Sequence, residues 1–227
     1  MIKALIFDFD GLILDTETPE YQAWSEIYRE HGQELTLATW GQIVGGIDAS
    51  DFRPLPSLQR LTGRDLAALD LPGRASEQSL AIITRQAPLP GVLDALQAAQ
   101  RLRLRLALAS SSPHRWVDGH LARLGLTAYF EAIKCGDDVP HTKPEPDLYL
   151  AALAALGVDP REAVAFEDSP NGVTAACRAG MRVVAIPNPV TASLPMQGES
   201  LRLHSLADLT LEQILAKLLP RDEAALG

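Results

Sequence analysis

The chain has 227 residues, 47% of them hydrophobic and 22% charged, which suffices for one large domain or for a core with a smaller insertion. A formal net charge of −9 argues against a nucleic-acid or anionic-membrane partner. It leaves room for a small phosphorylated ligand, because a cation and a lysine can reverse the field inside one cleft. The two cysteines, Cys135 and Cys177, lie in no CxxC or Cys/His cluster, so zinc is not expected, and they read as buried free thiols of a reducing cytoplasm.

From the start of the chain, residues 2–7 form a short apolar run that breaks into acids, the pattern of a buried first strand and not of a leader peptide. No run approaches the roughly 18 apolar residues of a membrane span. Residues 17–87 show helical spacing and no convincing strand. Tyr21, Trp24, Ile27, Tyr28 and His31 share one face, residues 37–44 and 76–85 suggest further helices, and Pro54 and Pro56 interrupt the middle. Pro88, Leu89, Pro90 and Gly91 read as a stiff return.

Further apolar runs follow at 104–109, 132–134, 163–166 and 182–186. Helical patterns at 91–102, 113–124, 146–156 and 170–179 alternate with them, the last three followed by Gly125, Gly157 and Gly180. This alternation predicts an α/β fold, a Rossmann-like parallel sheet of five main strands formed by residues 1–16 and 88–227. An all-helical cap at residues 17–87 interrupts it, and residues 221–227 are expected to fray.

Acids and one lysine gather where these strands end. Asp8 and Asp10 follow the first run, and Gly11 frees the backbone to turn away. In an open parallel sheet, ligands bind beyond the carboxyl ends of the strands. Two carboxylates this close repel unless a cation or proton intervenes, and magnesium prefers such oxygen donors. Ser110 ends the second run, and Ser112 and Pro113 read as N-cap and first residue of the next helix. Lys143 lies in the proline-rich stretch HTKPEP, where it is expected to matter more for chemistry than for folding. Glu167 and Asp168 end the fourth run.

The stretch DFDGLILDTE at residues 8–17, with Ser110, the KPEP stretch at Lys143 and the EDSPNG stretch at Glu167, resembles the four motifs of the haloacid dehalogenase superfamily in its cap-bearing phosphatase branch. The resemblance implies that Asp8 is a nucleophile and metal ligand. Asp10 would be general acid/base and would give its backbone carbonyl to the same metal. Ser110 would hold the transferring phosphoryl group, with Ser111 beside it as a substrate contact. Lys143 would neutralise Asp8 and the phosphoryl oxygens. Asp168 would bind Mg2+ directly, and Glu167 would bind it through water or orient its ligands from behind. Asp137 and Asp138 match an acidic turn of structural role.

The implied activity is Mg2+-dependent hydrolysis of the phosphate ester of a small metabolite; the chain itself reads as cytoplasmic, and a monomer is the preferred expectation for an oligomeric state that the sequence does not encode legibly. A phosphosugar mutase of the β-phosphoglucomutase type and a catalytically inert binding module are the alternatives. Thr16, Glu17, Gly45, Gly46, Ile47 and Asp48 are candidate substrate contacts, although Thr16 and Glu17 serve equally well as caps of the first inserted helix. The acids of residues 44–51 stand where a mutase would need a cation for its second phosphate.

Overall fold

The computed structural model of the chain describes residues 1–44 and 51–218. Six parallel strands form one sheet: β1 Ala4–Phe7, β2 Arg105–Ala109, β3 Ala132–Lys134, β4 Ala163–Glu167, β5 Arg182–Ala185 and β6 Leu201–Arg202. They lie in the order β3-β2-β1-β4-β5-β6. The sixth strand is one more than the sequence predicts. Its two residues extend the edge beyond β5, and a run that short has no periodicity to detect.

The two-residue period of the strands sorts their side chains onto two faces. Leu5, Phe7, Leu106, Leu108, Val164 and Phe166 pack into one apolar cluster. Ala4, Ile6, Ala107, Ala109, Ala163 and Ala165 pack into another. Helices α5 Val92–Arg101, α6 His114–Leu124 and α9 Leu211–Leu218 contribute to the first cluster. Helices α7 Asp147–Leu156 and α8 Pro170–Arg178 contribute to the second, so the sheet is covered on both sides, as a parallel sheet requires.

Among the described residues between β1 and α5 run the α-helices α1 Glu17–Glu30, α2 Leu37–Trp40, α3 Pro54–Thr62 and α4 Leu71–Ile83. They bury a separate cluster that includes Ile27, Tyr28, Trp40, Leu58 and Leu71, with Val190 joining from the loop after β5. The two prolines do not break this region. Pro54 opens α3 at its first position, and a proline in the first turn forfeits no intrahelical hydrogen bond. Helix α2 is shorter than residues 37–44, and α4 begins earlier than residue 76, with Asp70 accepting a hydrogen bond from the Gly73 amide. The outgoing and returning connections are tied together, since the Leu89 N–H donates to the Ile13 carbonyl at 2.9 Å. Residues 45–50, which include Gly45, Gly46, Ile47 and Asp48, and the tail 219–227 lie outside the described residues. Among the described residues no helix is long and apolar enough to cross a membrane. Cys135 is buried, whereas Cys177 is only half-buried.

Candidate active site

Strand β1 is central. Its neighbour β2 leads outward to one edge and β4 to the other, so the order reverses at β1. A crevice forms beyond the carboxyl ends of the strands at such a reversal. Phe7 is in register with Leu108 of β2 and Phe166 of β4. The residues just past this level therefore converge: Asp8 after β1, Ser110 after β2, Glu167 at the end of β4 and Asp168 after it.

Asp8 is 4% exposed, and the loop carrying Lys143 brings the ammonium against it. Lys143 Nζ donates to Asp8 Oδ1 at 2.6 Å and to Glu167 Oε1 at 2.6 Å. At 1% exposure, with two buried anionic partners, Lys143 belongs to the packed interior, which goes against the expectation that it matters little for folding. Glu167 is wholly buried and fully partnered. Its Oε1 also accepts from the Tyr149 hydroxyl, and its Oε2 faces the amides of Asp168 and Ser169 and the Ser169 hydroxyl. Such saturation fits the role of orienting neighbours from behind better than that of a direct metal ligand.

Asp168 Oδ2 accepts from Asn188 Nδ2 at 2.7 Å. Asp8, Glu167 and Asp168 each offer one carboxylate oxygen, all within 4.8 Å of one another and all buried. Three carboxylates thus face one ammonium, an imbalance that a divalent cation with oxygen preference would correct. Burial first, then Glu167, pushes the Asp8 carboxyl up to about 7 in spite of Lys143. Burial, with Asp8 and Glu167, also raises the Asp168 carboxyl well above its usual range. Burial alone would lower Lys143, but Asp8 and Glu167 raise it, so it stays charged.

Asp10 does not join this group through its side chain. Four donors hold its carboxylate elsewhere: Thr16 Oγ1 at 3.0 Å and Trp116 Nε1 at 2.8 Å on Oδ1, Ser110 Oγ at 3.2 Å and Ser112 Oγ at 2.7 Å on Oδ2. Thr16 stands at the N-cap position of α1 but makes no side-chain capping hydrogen bond there. Its hydroxyl serves Asp10, while Asp15 accepts the Thr18 amide at the start of α1. Ser112 is likewise not the N-cap of α6. Pro113 holds that place, and Asp137 accepts the His114 amide at 2.8 Å. Asp138 accepts the Cys135 amide and lies 2.9 Å from His114 Nε2, so the acidic turn is structural. Gly11 has φ of +77°, and a Cβ there would lie 2.4 Å from Asp168 Oδ2. Glycine therefore meets two demands at that position, the turn and the closeness of Asp168.

A cavity of about 520 Å3 opens above these groups. Asp8, Asp10, Ser110, Ser111, Ser112, Lys143, Trp116 and Arg115 line it from the sheet side, and Thr16, Glu17, Glu20, Trp40, Ile43 and Ser76 from the insertion. Burial, Glu20 and Asp10 raise the Glu17 carboxyl well above its usual range. His141 pairs with Asp147 at the surface, away from Asp8.

The sequence reading missed Asn188, Tyr149, Trp116 and the role of Ser112. Asn188 follows the residue 182–186 run by two positions, so the strand-end rule that found Asp168 could have found it. Tyr149 and Trp116 fall within the helical patterns of residues 146–156 and 113–124, and nothing local marks their polar ends as partnered.

The haloacid dehalogenase-like hydrolase family model matches residues 2–180. A Bacillus subtilis (strain 168) protein, YhcW, provisionally named a phosphatase, is 47% identical over 218 residues, 96% of this chain and 98% of that protein. The phosphorylated carbohydrates phosphatase of Thermotoga maritima is 34% identical over 181 residues, 79% of this chain and 82% of its own. The crystal structure of CbbY from Rhodobacter sphaeroides in complex with xylulose-(1,5)bisphosphate superposes with a TM-score of 0.70 at 28% identity, covering 92% of this chain and 96% of that one. A parallel sheet with its acids at the strand-order reversal, a helical insertion after the first strand and these matches agree: the chain belongs to the haloacid dehalogenase-like hydrolases.

Proposed function

We propose that the protein is a Mg2+-dependent phosphatase of small phosphorylated carbohydrates that works through a phosphoaspartate on Asp8. The observation that carries this reading is the different surroundings of two carboxylates two residues apart. Asp8 touches Lys143 in the acidic cluster, whereas Asp10 is held apart by four neutral donors. Environments that differ so sharply suit one carboxylate to attack phosphorus and the other to proton transfer. In the first half-reaction an Asp8 oxygen bonds to phosphorus, the bond from phosphorus to the ester oxygen breaks, and Asp10 protonates the departing alkoxide. In the second, Asp10 takes a proton from water as the water oxygen displaces Asp8 and releases inorganic phosphate. Lys143 supports the charge on Asp8 and on the phosphoryl oxygens.

Asp8 and Asp168, with the Asp10 carbonyl, would hold Mg2+, and Glu167 would keep Lys143 and the ligands in place. The ion supplies charge neutralisation at the phosphoryl oxygens. Residues 17–87 act as the cap, with Thr16, Glu17, Ser111 and Gly46 as substrate contacts. Glu17 and Glu20 line the cavity, where carboxyl groups exchange hydrogen bonds with sugar hydroxyls and offer no cation to a second phosphate. The names of the Thermotoga relative and of hexitol phosphatase B from Escherichia coli (strain K12), 30% identical over 225 residues, support a phosphorylated carbohydrate as substrate. The free thiols and acidic charge fit a cytoplasmic monomer.

The test is release of phosphate from a panel of hexose, hexitol and glycolate phosphates with Mg2+, alongside Asp8→Asn. A radiolabel trapped on serine or histidine, or full activity of Asp8→Asn, would refute the phosphoaspartate. Formation of glucose 6-phosphate from β-glucose 1-phosphate faster than phosphate release would overturn the hydrolase reading in favour of a mutase.

A further inference from the structure

We propose that Trp116 is a positioning residue for proton transfer, fixing the orientation of the Asp10 carboxyl so that Oδ1 stays an acceptor and Oδ2 faces the leaving group. The proposal rests on the reading of Asp10 as acid/base. Four donors surround that carboxylate, and three of them, on Thr16, Ser110 and Ser112, are hydroxyls. A hydroxyl rotates freely and either donates or accepts, so each can adjust to whatever Asp10 carries. The indole N–H is different in kind, because it can only donate. Its 2.8 Å contact commits Oδ1 to accepting in every state of the reaction.

The ring carrying that N–H is itself held. Trp116 meets His120 edge-on with ring centroids 4.4 Å apart. His120 is buried and lies against Phe9, the residue between Asp8 and Asp10. The indole is therefore braced against the same short segment whose carboxylate it orients. With Oδ1 held by the N–H, a transferable proton has one place left, Oδ2, whose partners Ser110 and Ser112 are both hydroxyls that can turn to accept it. The proton passes from Oδ2 to the departing alkoxide as the bond from phosphorus to the ester oxygen breaks. It returns to Oδ2 from water in the second half-reaction.

The experiment compares kcat/KM for an alkyl ester, hexitol 6-phosphate, with kcat/KM for p-nitrophenyl phosphate, whose leaving group departs without a proton. Trp116→Phe retains the packing on His120 and removes the N–H. It should depress the alkyl-to-aryl ratio at least about tenfold, the scale of one hydrogen bond to a charged group. If that variant folds poorly, benzothienylalanine at the same position, with sulfur in place of the N–H, makes the same change without altering ring shape. A role in packing alone lowers both esters together, and an unchanged ratio in the folded variant overturns the proposal. Asp10→Asn serves as the reference. If it depresses the ratio and neither Trp116 variant does, the acid/base reading stands and Trp116 is only packing. An unchanged ratio in Asp10→Asn defeats the acid/base reading and the proposal with it.

Discussion

Glu167 shares the ammonium of Lys143 with Asp8, each carboxylate 2.6 Å from Nζ, and the Tyr149 hydroxyl donates to the same Glu167 oxygen. A lysine with two buried anionic partners is part of the core as much as of the chemistry. Lys143→Met leaves Asp8 and Glu167 without their cation. Breaking a buried ion pair by removing one member costs about 3–5 kcal/mol. At 2–4 °C per kcal/mol for a chain of this size, Tm should fall by roughly 10 °C at pH 8. Calorimetry of the metal-free protein checks this, and an unshifted Tm would show Lys143 to be dispensable to the fold.

In the proposed mechanism metal and protons compete for the acidic cluster. Asp8 is raised from 3.8 to about 7 in the folded protein, so between those values the folded state holds a proton that the unfolded chain has released. Its contribution to stability is complete below about pH 4 and is lost as pH rises through about 7. The metal-free protein should therefore lose Tm between pH 5 and pH 8. Mg2+ must displace those protons, so its affinity should increase over the same interval. At a hundred times Kd it should add about 2.7 kcal/mol. Thermal scans with and without Mg2+ across that range read both effects, and chelation should abolish turnover. Asp168→Asn should remove the Mg2+-dependent rise.

Gly172→Ala tests the support beneath Glu167. Alanine in place of glycine within a helix ordinarily stabilises by about 1 kcal/mol. Here a Cβ would lie 2.0 Å from the Glu167 carboxyl carbon and both its oxygens. The carboxylate must move, and its bonds to Lys143 and Tyr149 loosen with it. Overpacking of this kind costs about 1–3 kcal/mol, so the usual sign should reverse. Urea unfolding of the metal-free variant measures it, and a gain in stability would mean that Glu167 tolerates displacement.

The sequence carried the chemistry further than it carried the supports. Asp8, Lys143, Glu167 and Asp168 come together because each ends a strand or follows one in a motif that can be read locally. The five longer strands were legible from their apolar runs, whereas β6 has only two residues and borrows its pairing from β5. Helix α3 was obscured because prolines read as breakers unless the first turn is located. Trp116 and Tyr149 spend most of their surface on packing, so apolar periodicity captures them and hides the one N–H or hydroxyl that touches a carboxylate. Ser112 followed the sequence rule for an N-cap, but Asp137 took that task from a distant segment.

Glu17 should contribute to substrate preference. It lies in the cavity with its carboxyl raised by burial and by neighbouring acids. Glu17→Gln relieves that crowding and should leave Tm equal or higher. It should also raise KM for hexitol phosphates about threefold to tenfold while changing KM for p-nitrophenyl phosphate little, because an ordinary hydrogen bond contributes about 0.5–1.5 kcal/mol. Equal changes in both KM values would mean that Glu17 does not read the sugar.

The hydrogen bond from Leu89 to Ile13 makes the two crossings of the backbone a single seam. What is sewn in above that seam reaches the sheet through adjacent points, so its length scarcely alters the closure entropy of the loop it forms. Segments with neighbouring ends are the ones that proteins exchange most readily. Recombination at Ile13 and Leu89 would transplant the roof of the cavity, with Glu17, Trp40 and Ser76, onto a floor that keeps Asp8 and Lys143. Substrate choice would thus change by grafting while Asp8, Asp10 and Lys143 stay on the floor, provided the graft returns a hydroxyl to Asp10 in the place of Thr16.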